Sequence, residues 1–181
     1  MSNYESRAIK FARILVNLFC DCKAVDDYIN TIHSYNCTHT RKLRYAHGVS
    51  RMVILRADYV IKFDMTPEEG FEDGRAGNCE SELALYQRAC AEGYEYLLAK
   101  PTVMTIDKKT FSIMPRINGV DNDNKYWMDY CTTDEMYWLS DNVCDLHEGN
   151  LGYRNGKVCV IDYAWDACRE YSNDDSWEDS E

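Results

Sequence analysis

Between Cys144 and Tyr163 the chain gathers residue types suited to phosphoryl transfer. Cys144-Asp145-Leu146-His147-Glu148-Gly149-Asn150 is polar and loop-like, and Leu151 to Arg154 and Lys157 to Asp162 read as strands flanking Asn155-Gly156. Asn-Gly is the strongest short hairpin signal, because both central residues of a tight type I′ turn take positive φ. Moving a γ-phosphoryl group needs little covalent chemistry; it needs an aligned nucleophile and divalent cations, held on oxygen ligands, to neutralise developing charge. Asn150 and Asp162 offer such oxygens. The plainer alternative is a polar turn in which Asp145 caps a helix end and Asp162 merely terminates a strand.

Upstream, Tyr59-Val60-Ile61-Lys62-Phe63 alternates so that Val60 and Lys62 share one strand face. Taken alone, Lys62 is as readily a strand lysine facing water. The pattern from Asn78 to about Gly93 reads as a helix with Glu82 on the same face as Tyr86, Ala89 and Cys90.

Together these segments resemble the protein kinase superfamily. D-L-H-E-G-N is similar to its catalytic loop, with Asp145 and Asn150 at the D-L-x-x-x-N spacing. The form with His147 and Gly149 looks most like aminoglycoside phosphotransferases, choline-kinase-like enzymes and the early protein kinases of short-tailed bacteriophages. Ile161-Asp162-Tyr163-Ala164 takes the place of the D-F-G aspartate, and Tyr59 to Lys62 resembles V-A-I-K. The resemblance implies ATP and Mg2+ as cofactors. On it, Asp145 orients the acceptor hydroxyl and accepts its proton, Asn150 and Asp162 bind metal, and His147 supports the loop through hydrogen bonds. Lys62 reaches the α and β phosphates, held there by Glu82, with Glu80 as the competing partner. His47-Gly48-Val49-Ser50-Arg51 carries one glycine where the family has two or three, so backbone amides near Gly48 and Ser50 approach the phosphates less closely. The strand ending at Ile117 is the implied hinge; Val60, Met114 and Ile117 then line the ATP site, and backbone groups from Pro115 to Ile117 read adenine.

The elements that must position these groups predict an α+β chain with a minimal protein-kinase-like fold. It has a five-stranded antiparallel N-lobe sheet with one helix, and a truncated, mostly helical C-lobe. Phe11, Ile14, Leu15, Leu18, Phe19 and Cys22 recur at helical spacing from Glu5 to about Cys22, and a shorter helix follows from Val25 to His33. Short strands fill Arg41 to Asp64, and two more run from Pro101 to Ile106 and Thr110 to Ile117. Helical patterning returns from Asp123 to Asn142, with Tyr126, Trp127, Tyr130, Met136, Tyr137 and Leu139 as core positions. The expected division is an N-terminal helical extension (1–40), an N-lobe (41–117), a C-lobe with catalytic loop and metal-binding hairpin (118–170) and an acidic disordered tail (171–181). Only nineteen residues follow Asp162, so the activation segment, its A-P-E anchor and the helical subdomain that holds a peptide acceptor have no counterpart. The N-terminal helices are expected to brace the shortened second lobe.

Bulk properties narrow the partners. A formal net charge of −11 argues against nucleic acid, whose affinity comes largely from Lys and Arg releasing condensed counterions. Asp166, Glu170, Asp174, Asp175, Glu178, Asp179 and Glu181 concentrate acids in the tail, unlike the spread face of a DNA mimic. No run approaches the roughly 20 apolar residues of a membrane span, and the expected location is cytoplasmic, in a host cell if the chain is viral or an effector. Nine cysteines, odd in number and irregular in spacing, read as mostly reduced thiols; Cys20, Cys22, Cys37 and His39 are a weaker zinc alternative. The leading functional expectation is a serine/threonine protein kinase acting on a protein substrate, including Ser172, Ser176 and Ser180 of its own tail. The alternatives are a kinase-like scaffold that inhibits a protein partner and a small-molecule kinase.

Overall fold

The computed structural model describes residues 3–48, 50–66, 78–119 and 127–163. The acidic tail, Tyr126 and most of the polar loop after Met65 lie outside these residues. The chain is α+β. Helices α1 (Asn3–Leu18) and α2 (Val25–Thr38) precede strands β1 (Arg44–His47), β2 (Arg51–Leu55) and β3 (Tyr59–Asp64). Helix α3 (Cys79–Glu92) follows, then β4 (Thr102–Ile106) and β5 (Lys109–Pro115). These five strands form one antiparallel sheet in the order β1-β2-β3-β5-β4, the arrangement expected of a reduced kinase-like N-lobe. Strand β6 (Asn118–Gly119), helix α4 (Thr133–Asn142), β7 (Leu151–Arg154) and β8 (Lys157–Val160) complete the described chain, and β6-β7-β8 make a second, three-stranded sheet. Among the described residues no helix is long and apolar enough to cross a membrane.

Both tight hairpins use the turn chemistry their sequences offer. Asn155 and Gly156 take φ of 55° and 78°, and Asp107 and Lys108 take 48° and 66°, so each pair occupies the two positive-φ positions of a two-residue turn. Helix α3 is fixed at both ends. The Asn78 side chain accepts from the Ser81 N–H at 2.9 Å, and Gly93 closes the helix at φ 83°.

The large sheet is covered on both faces at β2, β3 and β5, while the edge strand β1 is exposed. Tyr59, Ile61 and Phe63 point toward α1 and α2, where Ala8, Ala12, Leu15, Val16, Phe19, Tyr28 and Ile32 pack on them. Phe19 lies 4.9 Å from Tyr28 and 5.4 Å from Phe63, ring centre to ring centre. A fully buried side chain of this size stabilises the fold by roughly 1.5–3 kcal/mol, so α1 and α2 are an integral layer on the sheet. They do not brace the second lobe as expected. The opposite face meets α3, α4 and the β7-β8 hairpin in a second core containing Leu85, Met114, Leu139, Leu151 and Val160.

Two helical expectations change. The apolar face of α1 runs through Ala8, Ala12, Leu15 and Phe19, leaving Ile14 60% exposed. The pattern from Asp123 to Asn142 is not one helix: a 3-10 turn at Trp127–Tyr130 precedes α4, whose buried face is Glu135, Trp138 and Leu139. Tyr130 and Tyr137 face solvent. Of the cysteines, Cys22, Cys79 and Cys159 are buried thiols, as the composition implied, whereas Cys144 sits in a disulfide.

Thr132 and Glu135 start α4 with a reciprocal cap, and Glu135 does more than cap. It accepts from the Thr132 N–H at 2.6 Å and from the Tyr96 hydroxyl at 2.7 Å, with Lys157 Nζ at 3.4 Å. The Thr132 N–H bond, outweighing the upward push of burial, brings its pKa down to about 2. A carboxylate depressed in the folded state stabilises above its unfolded pKa and loses that contribution as pH falls through the folded value. Stability should therefore drop between about pH 4.5 and pH 2. Urea melts at pH 6 and pH 2.5 should show a loss larger in the wild type than in Glu135→Gln by about 2 kcal/mol.

Candidate active site

Strand β3 and helix α3 are tied together near their junction. Asp64, two residues beyond Lys62, accepts from the Cys79 N–H at 2.9 Å, and Cys79 lies three residues before Glu82. This clamp sets Glu82 over the strand. Lys62 Nζ stands 2.5 Å from Glu82 Oε1, with 3% of Lys62 and none of Glu82 exposed. Glu82 is thus the partner, and Glu80 faces solvent. Lys62 is not the water-facing lysine its strand pattern allowed.

Lys62 also donates to the Ile161 carbonyl at 2.7 Å and lies 3.5 Å from Asp162 Oδ1. Strand β8 delivers Asp162 to this point. The Ile161 N–H donates to the Asn150 carbonyl at 2.8 Å, so Asn150 sits beside Asp162 across the base of the hairpin. Asn150 Nδ2 donates to the Asp145 carbonyl at 2.9 Å and to its Oδ2 at 3.1 Å. Both of these bonds are made by the Asn150 Nδ2.

His147 holds the loop at its bend. Its Nδ1 accepts from the Gly149 N–H at 3.1 Å, and its Nε2 lies 3.6 Å from Asp145 Oδ2. A Cβ at position 149 would stand 2.8 Å from the imidazole Cε1, so a side chain there would displace the His147 ring from its bond to the Gly149 N–H.

The expected nucleotide-lining residues divide. Val60 pairs in register with Met114, and both face the second core together with Ile117. Met114 is 1% exposed, which makes it a floor residue. Gly48 closes the β1-β2 turn by donating to the Arg51 carbonyl at 3.0 Å; a Cβ there would meet nothing within 4 Å. There is thus open space where a side chain at position 48 would lie. Ser50 accepts at its carbonyl from the Met65 N–H at 2.8 Å, which anchors the start of β2.

Arg51 was missed as a site residue. It reads as the first residue of a strand, yet it is 7% exposed and reaches into the centre of the cluster. Its Nη1 is 2.6 Å from Glu82 Oε1, and its Nη2 pairs with Asp162 Oδ1. Register explains this: Arg51 pairs with Asp64, the residue that clamps α3, so its side chain lies under the helix. Two cations and two carboxylates now share one small volume. Burial pulls the Lys62 pKa down to about 8, Glu82 pushes it back up and Arg51 lowers it further. Burial pushes the Glu82 carboxyl up, but the two cations outweigh it and leave it below the usual carboxylate range.

A magnesium ion brought in with a nucleotide would have Asp162 and Asn150 as its oxygen donors, with Arg51 and Lys62 already paired to Asp162. Among the described residues no three His, Cys, Asp or Glu groups cluster as a metal cage. Asp162 and Asn150 supply two hard oxygens, and Mg2+ is commonly held by one or two protein oxygens plus substrate phosphates. The Asp162 side chain is 41% exposed and accessible to such a ligand, but its Oδ1 already faces Arg51 and Lys62.

No protein-family model matches the chain, and no curated protein matches it. Among solved structures, it is similar to WbdD, described in co-crystal with the kinase inhibitor LY294002, at a TM-score of 0.39 and 16% identity. The match covers 69% of this chain and spans about a third, 33%, of that protein's length. A likeness this distant assigns neither family nor activity.

Proposed function

We propose that this chain is an ATP- and magnesium-dependent phosphotransferase with a reduced kinase-like core, transferring phosphate to Ser or Thr hydroxyls of proteins. The observation that carries the reading is the convergence of Lys62, Glu82 and Asp162 from β3, α3 and the end of β8, within 2.5 and 3.5 Å of the lysine ammonium. In this reading Lys62 holds the α and β phosphates, and Glu82 keeps its ammonium turned toward them. Asn150 and Asp162 hold the magnesium, which neutralises charge on the transferring phosphoryl group when bound. Asp145, exposed and held by Asn150, receives the acceptor hydroxyl and takes its proton, while His147 fixes the loop that presents it.

Asp145→Asn, compared with wild type using labelled ATP and a cell lysate, tests the assignment. Asparagine preserves the size of the side chain and its bond to Asn150. ATP-induced stabilisation should persist while transfer falls by roughly a hundredfold or more, the scale of a lost general base. Wild type that labels nothing, itself included, would overturn the reading. Labelling of a small metabolite would keep the enzyme class and remove the protein substrate.

A second reading has its own support. Arg51 on Asp162 places a fixed positive charge where a metal ion would sit, an arrangement suited to a scaffold that acts by occupying a protein partner. In that case Asp145→Asn retains the full biological effect.

A further inference from the structure

Away from the active site, a groove of about 680 Å³ lies between α1 and the β2-β3 turn. Its charge opposes that of the chain as a whole. Arg7, Lys10, Lys42, Arg44, Arg56 and Arg116 line it, in a protein whose formal net charge is −11. Asp58 is the acid among its lining residues, and Arg7 pairs with it. Among the described residues, Lys10 and Arg44 make no ion pair with a carboxylate. The floor is apolar: Phe11, Leu55 and Ile14, the α1 residue turned out of the core.

Several of these groups are held in place before any ligand arrives. The Arg56 guanidinium lies 4.6 Å above the Phe11 ring. Arg116 donates through Nη1 to the Arg56 carbonyl at 2.8 Å and through its backbone N–H to the Asp58 carbonyl at 3.1 Å. Preset cations lose less side-chain freedom on binding than free ones.

We propose that this groove docks an acidic segment of a partner protein, with carboxylates meeting the rim cations and an aliphatic or aromatic side chain seated on the floor. A nucleic acid fits less well. A phosphate backbone offers no aliphatic side chain to seat against Phe11, Leu55 and Ile14, whereas an acidic peptide does. The groove borders α1, on the sheet face opposite Lys62, so docking there does not depend on phosphoryl transfer. This inference stands or falls separately from the proposed activity.

The test is fluorescence anisotropy of the full chain with a short labelled peptide of alternating glutamate and leucine. A peptide of alternating lysine and leucine and a single-stranded oligonucleotide of equal charge serve as comparisons. Saturable binding to the glutamate peptide is expected, weakening with salt and falling at least roughly tenfold in Lys10→Glu/Arg44→Glu. Both substituted residues are exposed, so the variant should keep the wild-type melting temperature. Absence of saturable binding, equal affinity in the double variant, or tighter binding of the oligonucleotide would overturn the proposal.

Discussion

Glu82→Ala is expected to be the most destabilising single change in the site, at about 3–5 kcal/mol, the cost of leaving buried charge uncompensated. Glu82 is fully buried, and Lys62 and Arg51 both converge on its Oε1. Its removal leaves two nearly buried cations with Asp162, which is partly in water, and with Asp64 opposite Arg51. Glu82→Gln should lose nearly as much despite its matched shape, because volume is kept and charge is not. Urea denaturation measures the effect directly, and the melting temperature should fall by roughly 10 °C. Glu80→Ala, one turn edge away in solvent, should stay within about 0.5 kcal/mol of wild type. A mild Glu82→Ala would mean that Lys62 and Arg51 find water or other partners, and that the buried cluster is not what joins α3 to the sheet.

The largest effect on chemistry is expected from Asp162→Asn. In wild type, ATP should raise the melting temperature with magnesium present and much less with EDTA, since one carboxylate and one amide are the protein's share of the metal site. The variant should lose that magnesium-dependent increment. Phosphotransfer should fall by roughly a thousandfold or more, as several kcal/mol of charge stabilisation on the phosphoryl group disappear. The substitution also frees Arg51 from its carboxylate, so a loss of nucleotide stabilisation can be separated from a loss of fold by the melt without ligand. Equal stabilisation of wild type by ATP in magnesium and in EDTA would remove Asp162 and Asn150 from a metal role.

The sequence made the short-range parts of this arrangement readable. Asn155-Gly156 needs positive φ at two successive positions, and few other turns use that pair of residues. The spacing from Asp145 to Asn150 fixes a loop whose members bond one another directly. Long-range consequences were harder to read. Arg51 follows a glycine turn at the head of a strand, and nothing local indicates that its register opposite Asp64 carries it beneath α3. The position of α1 and α2 had a signal that went unused: Met52-Val53-Ile54-Leu55 is a continuous apolar run, the pattern of a strand covered on both faces. Ile14 and Tyr137 fit a helical period, but period alone does not give the phase of the buried face. In α1 the expected Leu15 is buried together with Ala8 and Ala12, and in α4 the expected Leu139 is buried together with Glu135 and Trp138.

Two connections stitch the large sheet to the β7-β8 hairpin. Strand β6 starts three residues after β5 ends and pairs Asn118 and Gly119 with Tyr153 and Gly152. On the other side Leu98 bridges Val160, and the Ala99 N–H donates to the Val160 carbonyl at 2.8 Å. Swinging the two halves apart would break these ladders and wet Met114, Leu98 and Val160 in the same event. The two sheets are thus held in one arrangement by the same contacts that fold the chain.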